Sequence, residues 1–358
     1  MTASSTSVQP NAATPLSLTC QQRIEETHDT ATLCFTTDDK RAIDYKPGQF
    51  ISLGVDINGK RHHRAYTLSS TPSRPQHLAV TVKRVKDGLV SNHLLDTVTP
   101  GVSLQALSPA GEFYLKEAPT MPESNPRELL FVSAGSGITP VMSMSRYLLD
   151  NQLNDGQALV NIHFIHCART IEDVIFLDEL QQMNTNFTNF RLSLVLSDIE
   201  HPNHRFGFLN HAILQELAPT LDNYSVYTCG PQPFMTMLSD SLKARKFNMD
   251  RFFQESFSNP IMESSDTDSD KTHKISVPAF NKFVDAASGS TLLDSLEKGG
   301  LPIVAACRAG VCGSCKCKVT SGEVDTSAQM VLSDADKAAG YVLACSTKVK
   351  SDIEVELG

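Results

Sequence analysis

Four cysteines near the C-terminus have the spacing of a metal centre. Cys307, Cys312 and Cys315 follow C-x4-C-x2-C, and Cys345 comes after 29 further residues. Three ligands from one tight loop and a fourth from a distant position is the arrangement that holds a plant-type [2Fe–2S] cluster. Such a cluster needs four thiolates converging on two irons, with backbone N–H donors near its bridging sulfides. Gly310 and Gly313 let the loop fold tightly and aim its amides inward. A structural zinc knuckle is the competing assignment, but zinc sites usually show the C-x-x-C pair twice. Cys317, two positions past Cys315 on a strand, reads as a packed core thiol.

A second constellation lies upstream. The apolar run Leu129-Leu130-Phe131-Val132 leads into Gly135-Ser136-Gly137-Ile138-Thr139-Pro140 and then a helix. A strand entering a glycine turn at a helix N-terminus is a dinucleotide-phosphate site, because the turn presents free amides to an anion. The third glycine of the usual fingerprint is absent, and Pro140 sits in the first helical turn instead. Gly88-Leu89-Val90-Ser91-Asn92 opens another helix whose N-terminal amides suit a phosphate.

These sites need scaffolds, and 358 residues at roughly 150 per domain allow two or three. With 41% hydrophobic residues, each has room for its own core. The charge balance, 31 basic against 40 acidic residues, gives −9 and argues against a broad grip on nucleic acid or anionic lipid. No Lys or Arg precedes Arg23, and no apolar run approaches the roughly 18 residues that span a bilayer. A soluble, cytoplasmic protein without a membrane or nucleic-acid partner is expected. Nine cysteines are too few for a disulfide scaffold, and Cys20, Cys34 and Cys167 read as small core residues.

Residues 1–15, rich in Ser, Thr, Ala and Pro and uncharged, form a tail. Residues 16–117 carry short alternating runs separated by Pro47-Gly48, Asn58-Gly59 and Pro72, which suggests an antiparallel barrel or sandwich with one helix near residues 90–98. After a proline-rich linker at 118–126, residues 127–257 change period. Largely apolar strands alternate with helices, predicted at 141–150 and 234–245 among others, which indicates a parallel α/β sheet. An acidic, serine-rich linker at 258–273 precedes a final α+β segment at 274–358. There a hairpin is followed by a short helix capped by Ser290-Thr291, and Ser333-Asp334-Ala335-Asp336 reads as a capping box.

The C-terminal segment resembles a plant-type ferredoxin of β-grasp fold, and the two before it resemble the flavin and nicotinamide domains of the ferredoxin–NADP reductase superfamily. That family carries Arg-x-Tyr-(Ser/Thr) on a barrel strand, and here it stands as Arg64-Ala65-Tyr66-Thr67, continuing Leu68-Ser69-Ser70. The resemblance implies that Arg64 pairs with the FAD pyrophosphate, Tyr66 lies on the isoalloxazine and the Thr67 hydroxyl reaches ring N5. It adds Ser69, Lys83, Gly88 and Ser91 to the FAD site. It also assigns Gly135, Gly137, Thr139 and Pro140, with Cys229-Gly230-Pro231, to the nicotinamide cofactor. Tyr66, Thr67 and Cys229 would flank the hydride path. Where NADPH-specific relatives often hold the 2′-phosphate with Ser-Arg, this chain reads Ser197-Asp198, so an acidic side chain favours the free ribose hydroxyl of NADH. Phe252-Phe253-Gln254-Glu255-Ser256-Phe257 resembles the segment that packs by the flavin.

The implied function is a relay from NADH through FAD and the [2Fe–2S] cluster to a protein acceptor. Residues 64–72, 138–145, 173–176, 304–313 and 341–346 resemble NADH oxidoreductases that serve the hybrid-cluster protein, making that protein the expected partner. The same domain order serves oxygenase, demethylase and desaturase systems. A non-enzyme alternative is a metal-holding carrier or interaction module whose flavin sites have decayed, against which intact Arg64, Tyr66, Gly137 and Cys229 argue. Arg308, Lys316 and Lys318 near the cluster loop suggest a basic rim that steers an acidic partner.

Overall fold

The computed structural model describes residues 16–116, 127–151, 160–257 and 272–357, apart from 288, 304, 306–309, 311–312 and 327–331. The chain divides into two compact units at Phe257, with residues 63–65 grouped with the second.

The first unit opens with an antiparallel sheet of β1 (Leu16–Thr27), β2 (Thr30–Thr37), β3 (Phe50–Ile57), β4 (Lys60–Thr67), β5 (Leu78–Lys83) and, after helix α1 (Leu89–Thr97), β6 (Ser103–Ala110). Strand order is β4-β3-β6-β1-β2-β5, and a bridge between Leu68 and Val80 joins the two ends into a barrel. Alternation sends Leu16, Leu18 and Cys20 of β1 and Leu33 and Phe35 of β2 into one core with Val80, Val82 and Leu94. Asn58 and Gly59 turn β3 into β4 with both φ angles positive (53° and 75°), the backbone that a two-residue hairpin of matching twist requires. That hairpin delivers the Arg64–Thr67 strand.

The same unit continues with β7 (Arg127–Ala134), α2 (Ile138–Asn151), β8 (Val160–Ala168), α3 (Leu177–Asn186), β9 (Phe190–Leu196), β10 (Arg205–Phe206), α4 (His211–Leu217), β11 (Tyr224–Cys229), α5 (Gln232–Ala244) and β12 (Phe252–Glu255). All pair in parallel, in the order β10-β9-β8-β7-β11-β12. Both faces are covered, one core holding Phe131, Phe164 and Tyr227 and the other Leu130, Val132 and Ile165, which is why these strands read as continuous apolar runs. Helix α2 begins three residues before the predicted start. Pro140 fits its first turn because an amide there has no intrahelical acceptor. The chain winds outward from β7 to β10 and then returns to place β11 on the other side of β7. A crevice therefore opens beyond the ends of β7 and β11.

The second unit holds β13 (Thr272–Val277), β14 (Lys282–Ala287), α6 (Leu292–Lys298), β15 (Lys316–Ser321), β16 (Val324–Thr326), α7 (Asp334–Ala338), β17 (Tyr341–Leu343), β18 (Thr347–Val349) and β19 (Ile353–Leu357). Its main sheet runs β14-β13-β19-β15-β17, with β13 and β19 parallel at its middle, and β16 pairs with β18 separately. Leu292, Leu293 and Leu296 of α6 pack into the core with Ile275, Val284 and Val355, the grip of a β-grasp. Thr291 caps α6 through the Asp294 amide, and Ser333 and Asp336 form the expected capping box.

Candidate flavin, dinucleotide and cluster sites

On β4 and the residues after it the side chains divide by what they already touch. The Thr67 hydroxyl is buried and has no hydrogen-bond partner among the described residues. A buried hydroxyl left alone costs free energy, so this atom suits a polar ligand atom such as a flavin ring nitrogen. Tyr66 and Arg64 are partly buried, and one Arg64 nitrogen donates to the His63 carbonyl at 2.7 Å. Ser69 faces inward instead. Its hydroxyl lies 2.9 Å from the Thr81 hydroxyl and donates to the Ala79 carbonyl, so it holds the barrel together. Lys83 pairs with Asp29 at 2.6 Å, which occupies its charge. Gly88 precedes α1, and a Cβ there would stand 2.8 Å from Val85 Cβ and 3.0 Å from the Val85 carbonyl oxygen, so a side chain would crowd the turn that enters the helix.

The two predicted dinucleotide turns meet at the crevice. A Cβ on Gly137 would lie 2.2 Å from the Cys229 carbonyl oxygen and 2.8 Å from the Gly230 nitrogen. Glycine is therefore dictated by contact between two main chains. Gly135 takes φ +53°, and the Thr139 hydroxyl donates to the Ser136 carbonyl at 3.1 Å, bracing the turn. Pro140 is buried in the first turn of α2, and Pro231 precedes α5. These features fit a pyrophosphate at the first turn and a ring at the second. Met142 and Met144 are fully buried, as helix packing requires.

Register across the sheet places Glu255, Cys229, Ser133 and His166 in one row on the α2 face. Burial, reinforced by the Glu255 carboxylate, raises the Cys229 thiol well above its ordinary pKa and keeps it protonated. His166 Nδ1 lies 2.9 Å from Ser133 Oγ, and burial lowers its pKa to about 3, so it is neutral. Glu255 lies within the Phe252–Phe257 segment that resembles the family's flavin-side segment, but the sequence did not single it out. Its signal was a lone acid in a strand of aromatics, with period-2 alternation turning it toward the face that holds Tyr227. Its Oε2 is sealed from solvent with no hydrogen-bond partner among the described residues, and burial pushes its pKa up to about 8.

A pH dependence follows. The folded protein keeps the Glu255 proton up to about 8, while the unfolded chain releases it near 4.5, so stability present below 4.5 is lost as pH rises through about 8. Glu255→Gln is expected to flatten this fall. Thermal unfolding followed at both ends of that window checks it, and an unchanged slope refutes it.

At the position expected to meet the ribose, the Asp198 amide donates to the Arg169 carbonyl at 2.9 Å, and Ser197 Oγ donates to the Asp198 carboxylate at 2.5 Å. Arg169 faces Asp173 at 3.2 Å, so its charge is already opposed.

In the second unit Cys315 and Cys345 are buried side by side. The Gly310 amide donates to Cys345 Sγ at 3.2 Å and the Cys345 amide to Cys315 Sγ at 3.5 Å. Amides aimed at sulfur stabilise thiolate charge, and Gly310 and Gly313 reach this geometry with φ near +75°. Cys307, Cys312 and Arg308 lie outside the described residues. Cys317 is fully buried in the core, and burial raises its pKa to about 12. Cys20 is also buried, whereas Cys34 and Cys167 are only partly so. The basic rim is weaker than its sequence suggests, because Lys316 pairs with Asp336 at 2.5 Å over the Tyr341 ring.

Three family models match in the order of these domains: an oxidoreductase FAD-binding domain at residues 17–114, an oxidoreductase NAD-binding domain at 131–240 and a 2Fe-2S iron-sulfur cluster binding domain at 279–350. The chain is 37% identical over 332 residues to the NADH oxidoreductase HCR of Escherichia coli K12, covering 92% of this chain and 94% of that protein. It is 33% identical over 357 residues to the glycine betaine monooxygenase reductase subunit of Pseudomonas aeruginosa UCBPP-PA14, covering 94% of each. The solved structure of phthalate dioxygenase reductase matches with TM-score 0.64 at 22% identity, over 96% of this chain and 97% of that one. Among the described residues no helix is long and apolar enough to cross a membrane. The chain belongs to the ferredoxin–NADP reductase superfamily, as an NAD-dependent oxidoreductase that joins FAD-binding, NAD-binding and [2Fe–2S] domains in one polypeptide.

Proposed function

We propose that the protein oxidises NADH and hands the two electrons singly to an acceptor protein, the hybrid-cluster protein being the first candidate. The observation that carries this reading is the main-chain contact of Gly137 with Cys229 at the switch between β7 and β11, in the same compact unit as the orphaned Thr67 hydroxyl. Bound FAD supplies the conversion between a two-electron hydride and single electrons, and the cluster carries those electrons one at a time.

The chain's own residues bind and orient. Arg64 and the α1 N-terminus, with Gly88 and Ser91, would hold the FAD pyrophosphate, and Tyr66 and Thr67 would bound its ring, Thr67 offering its hydroxyl as a polar partner. The amides of the Gly135–Gly137 turn, with Thr139 and Pro140 behind them, hold the NADH pyrophosphate. Cys229, Gly230 and Pro231 bound the nicotinamide, and the protonated Cys229 thiol presents a neutral surface there. Cys307, Cys312, Cys315 and Cys345 ligate the cluster. No side chain needs to act as an acid or base on NADH, because the hydride leaves with its electrons.

NADH should be preferred over NADPH, since Asp198 stands in the sequence where a phosphate-binding arginine would be expected, an added phosphate near its carboxylate would be repelled, and Arg169 is opposed by Asp173. Steady-state kcat/KM for the two cofactors tests this, and parity overturns it. The reading as a whole is tested anaerobically. NADH should bleach both flavin and cluster absorption and then support reduction of hybrid-cluster protein. Reductase components of oxygenase systems are the second reading, favoured by the betaine monooxygenase relative. Faster reduction of an oxygenase component in the same assay would select it.

A further inference from the structure

Ser143, Arg146 and Asp150 of helix α2 are polar side chains at spacings that put them on one face. All three are bonded to the barrel just beyond the flavin strand. Ser143 Oγ donates to the Ser70 carbonyl at 2.5 Å, Arg146 donates to the Ser69 carbonyl at 2.5 Å, and Asp150 accepts from Ser73 and Arg74. Two of these bonds reach backbone carbonyls, so they fix main chain two and three residues past Thr67. At its other end α2 begins directly after the Gly135–Gly137 turn. One rigid element thus connects the predicted dinucleotide turn to the predicted flavin strand.

Arg146 is the most constrained of the three. Its guanidinium forks onto Glu179 of α3 through bonds of 2.9 and 2.5 Å, and its side chain is 11% exposed. It also lies 4.7 Å from the ring centroid of Phe176. Phe176 is held at φ 60° and ψ 29°, a left-handed conformation that a bulky residue adopts only when its surroundings impose it. Fork, carbonyl bond and ring contact together leave the guanidinium one position.

We propose that Arg146 is a positioning residue for hydride transfer. Clamped by Glu179 and seated on Phe176, it holds the Ser69 carbonyl and so sets the spacing between the Tyr66–Thr67 strand and the Gly137–Cys229 contact. The inference rests on the NADH-to-flavin reaction proposed above. In that step the C4–H bond of the dihydronicotinamide breaks and the hydrogen moves with both electrons to the flavin ring, leaving NAD+. Its rate depends steeply on the approach of the two rings, and a displacement of about 1 Å can cost roughly a hundredfold. Their binding residues come from two different sheets, so the bonds between those sheets set that approach.

The test is rapid-mixing reduction by saturating NADH, expressed per bound flavin. R146M should lower the reduction rate by roughly tenfold or more, with the half-saturating NADH concentration nearly unchanged, because Arg146 touches neither predicted nucleotide turn. It should also alter the visible circular dichroism of bound FAD. R146K keeps one donor for Ser69 but loses the planar fork, and should fall between R146M and the parent. E179Q weakens the clamp from its far side and should slow reduction in the same direction, so it carries the test if R146M does not retain flavin. A merely structural role would lower Tm while leaving the rate per flavin and the dichroism unchanged, and that result overturns the inference. If NADH fails to reduce the parent protein, the proposed function itself fails. If it reduces the parent and R146M or E179Q equally fast, only the role of Arg146 does.

Discussion

Gly137→Ala should slow NADH-dependent flavin reduction by roughly a hundredfold while leaving FAD bound. The added methyl would stand 2.2 Å from the Cys229 carbonyl oxygen, 2.4 Å from its carbon and 2.8 Å from the Gly230 nitrogen, all of them backbone. No rotamer change relieves such a clash, so one of the two dinucleotide turns must move. Both belong to the nucleotide domain, whereas Tyr66 and Thr67 lie on the barrel, so flavin content should be retained. A shift of about 1 Å in either turn is enough to predict a loss of roughly a hundredfold in reduction rate. Gly135→Ala is the matched control. Its Cβ would meet nothing within 4 Å, and only the positive φ of 53° opposes it. Rapid mixing with NADH distinguishes the two variants. If Gly137→Ala is reduced as fast as Gly135→Ala, the crevice between β7 and β11 does not bind the dinucleotide.

Cys345→Ser should remove the iron–sulfur centre and with it electron delivery to a protein partner, but not the oxidation of NADH. Cys345 is buried, its sulfur accepts the Gly310 amide at 3.2 Å, and its own amide donates to Cys315. A serine alkoxide is a poorer iron ligand than a thiolate, and the amide donor would be left facing the wrong atom. The proposed flavin and nicotinamide residues, Arg64 apart, fall in the other compact unit, so their folding should not depend on the cluster. Reduction of ferricyanide, which can take electrons from flavin directly, should persist near the parent rate, while reduction of an acceptor protein should collapse. Iron content and visible absorption establish the loss of the cluster. Undiminished protein reduction in an iron-free variant would mean that electrons leave from the flavin and that the second unit is off the path.

Much of this protein is written in short stretches. The cysteine spacing, the Asn58-Gly59 turn, the Thr291 cap, the Ser333 capping box and the apolar runs of β7, β8 and β11 are each set by chemistry within a few residues. Local sequence therefore determines them. The pattern also carried the classes of the barrel sheet and of the parallel sheet, because alternation marks a barrel strand and continuous apolarity a doubly covered one.

What only the tertiary structure decided is which strand lies beside which. A run such as Tyr224–Cys229 announces a buried strand, but nothing in its composition says that it pairs with β7 rather than β9, since parallel neighbours are joined by long crossovers. Yet that choice brings Cys229 against Gly137 and aligns Glu255 and His166 in its row. Lys83 and Lys316 read as free positive charges until distant Asp29 and Asp336 come within 2.6 and 2.5 Å. Arg146 reads as an ordinary helix arginine until folding carries it to the Ser69 carbonyl 77 positions away. Contacts of this kind depend on the path of the chain, because side-chain periodicity specifies the face a residue buries but not the partner waiting on that face.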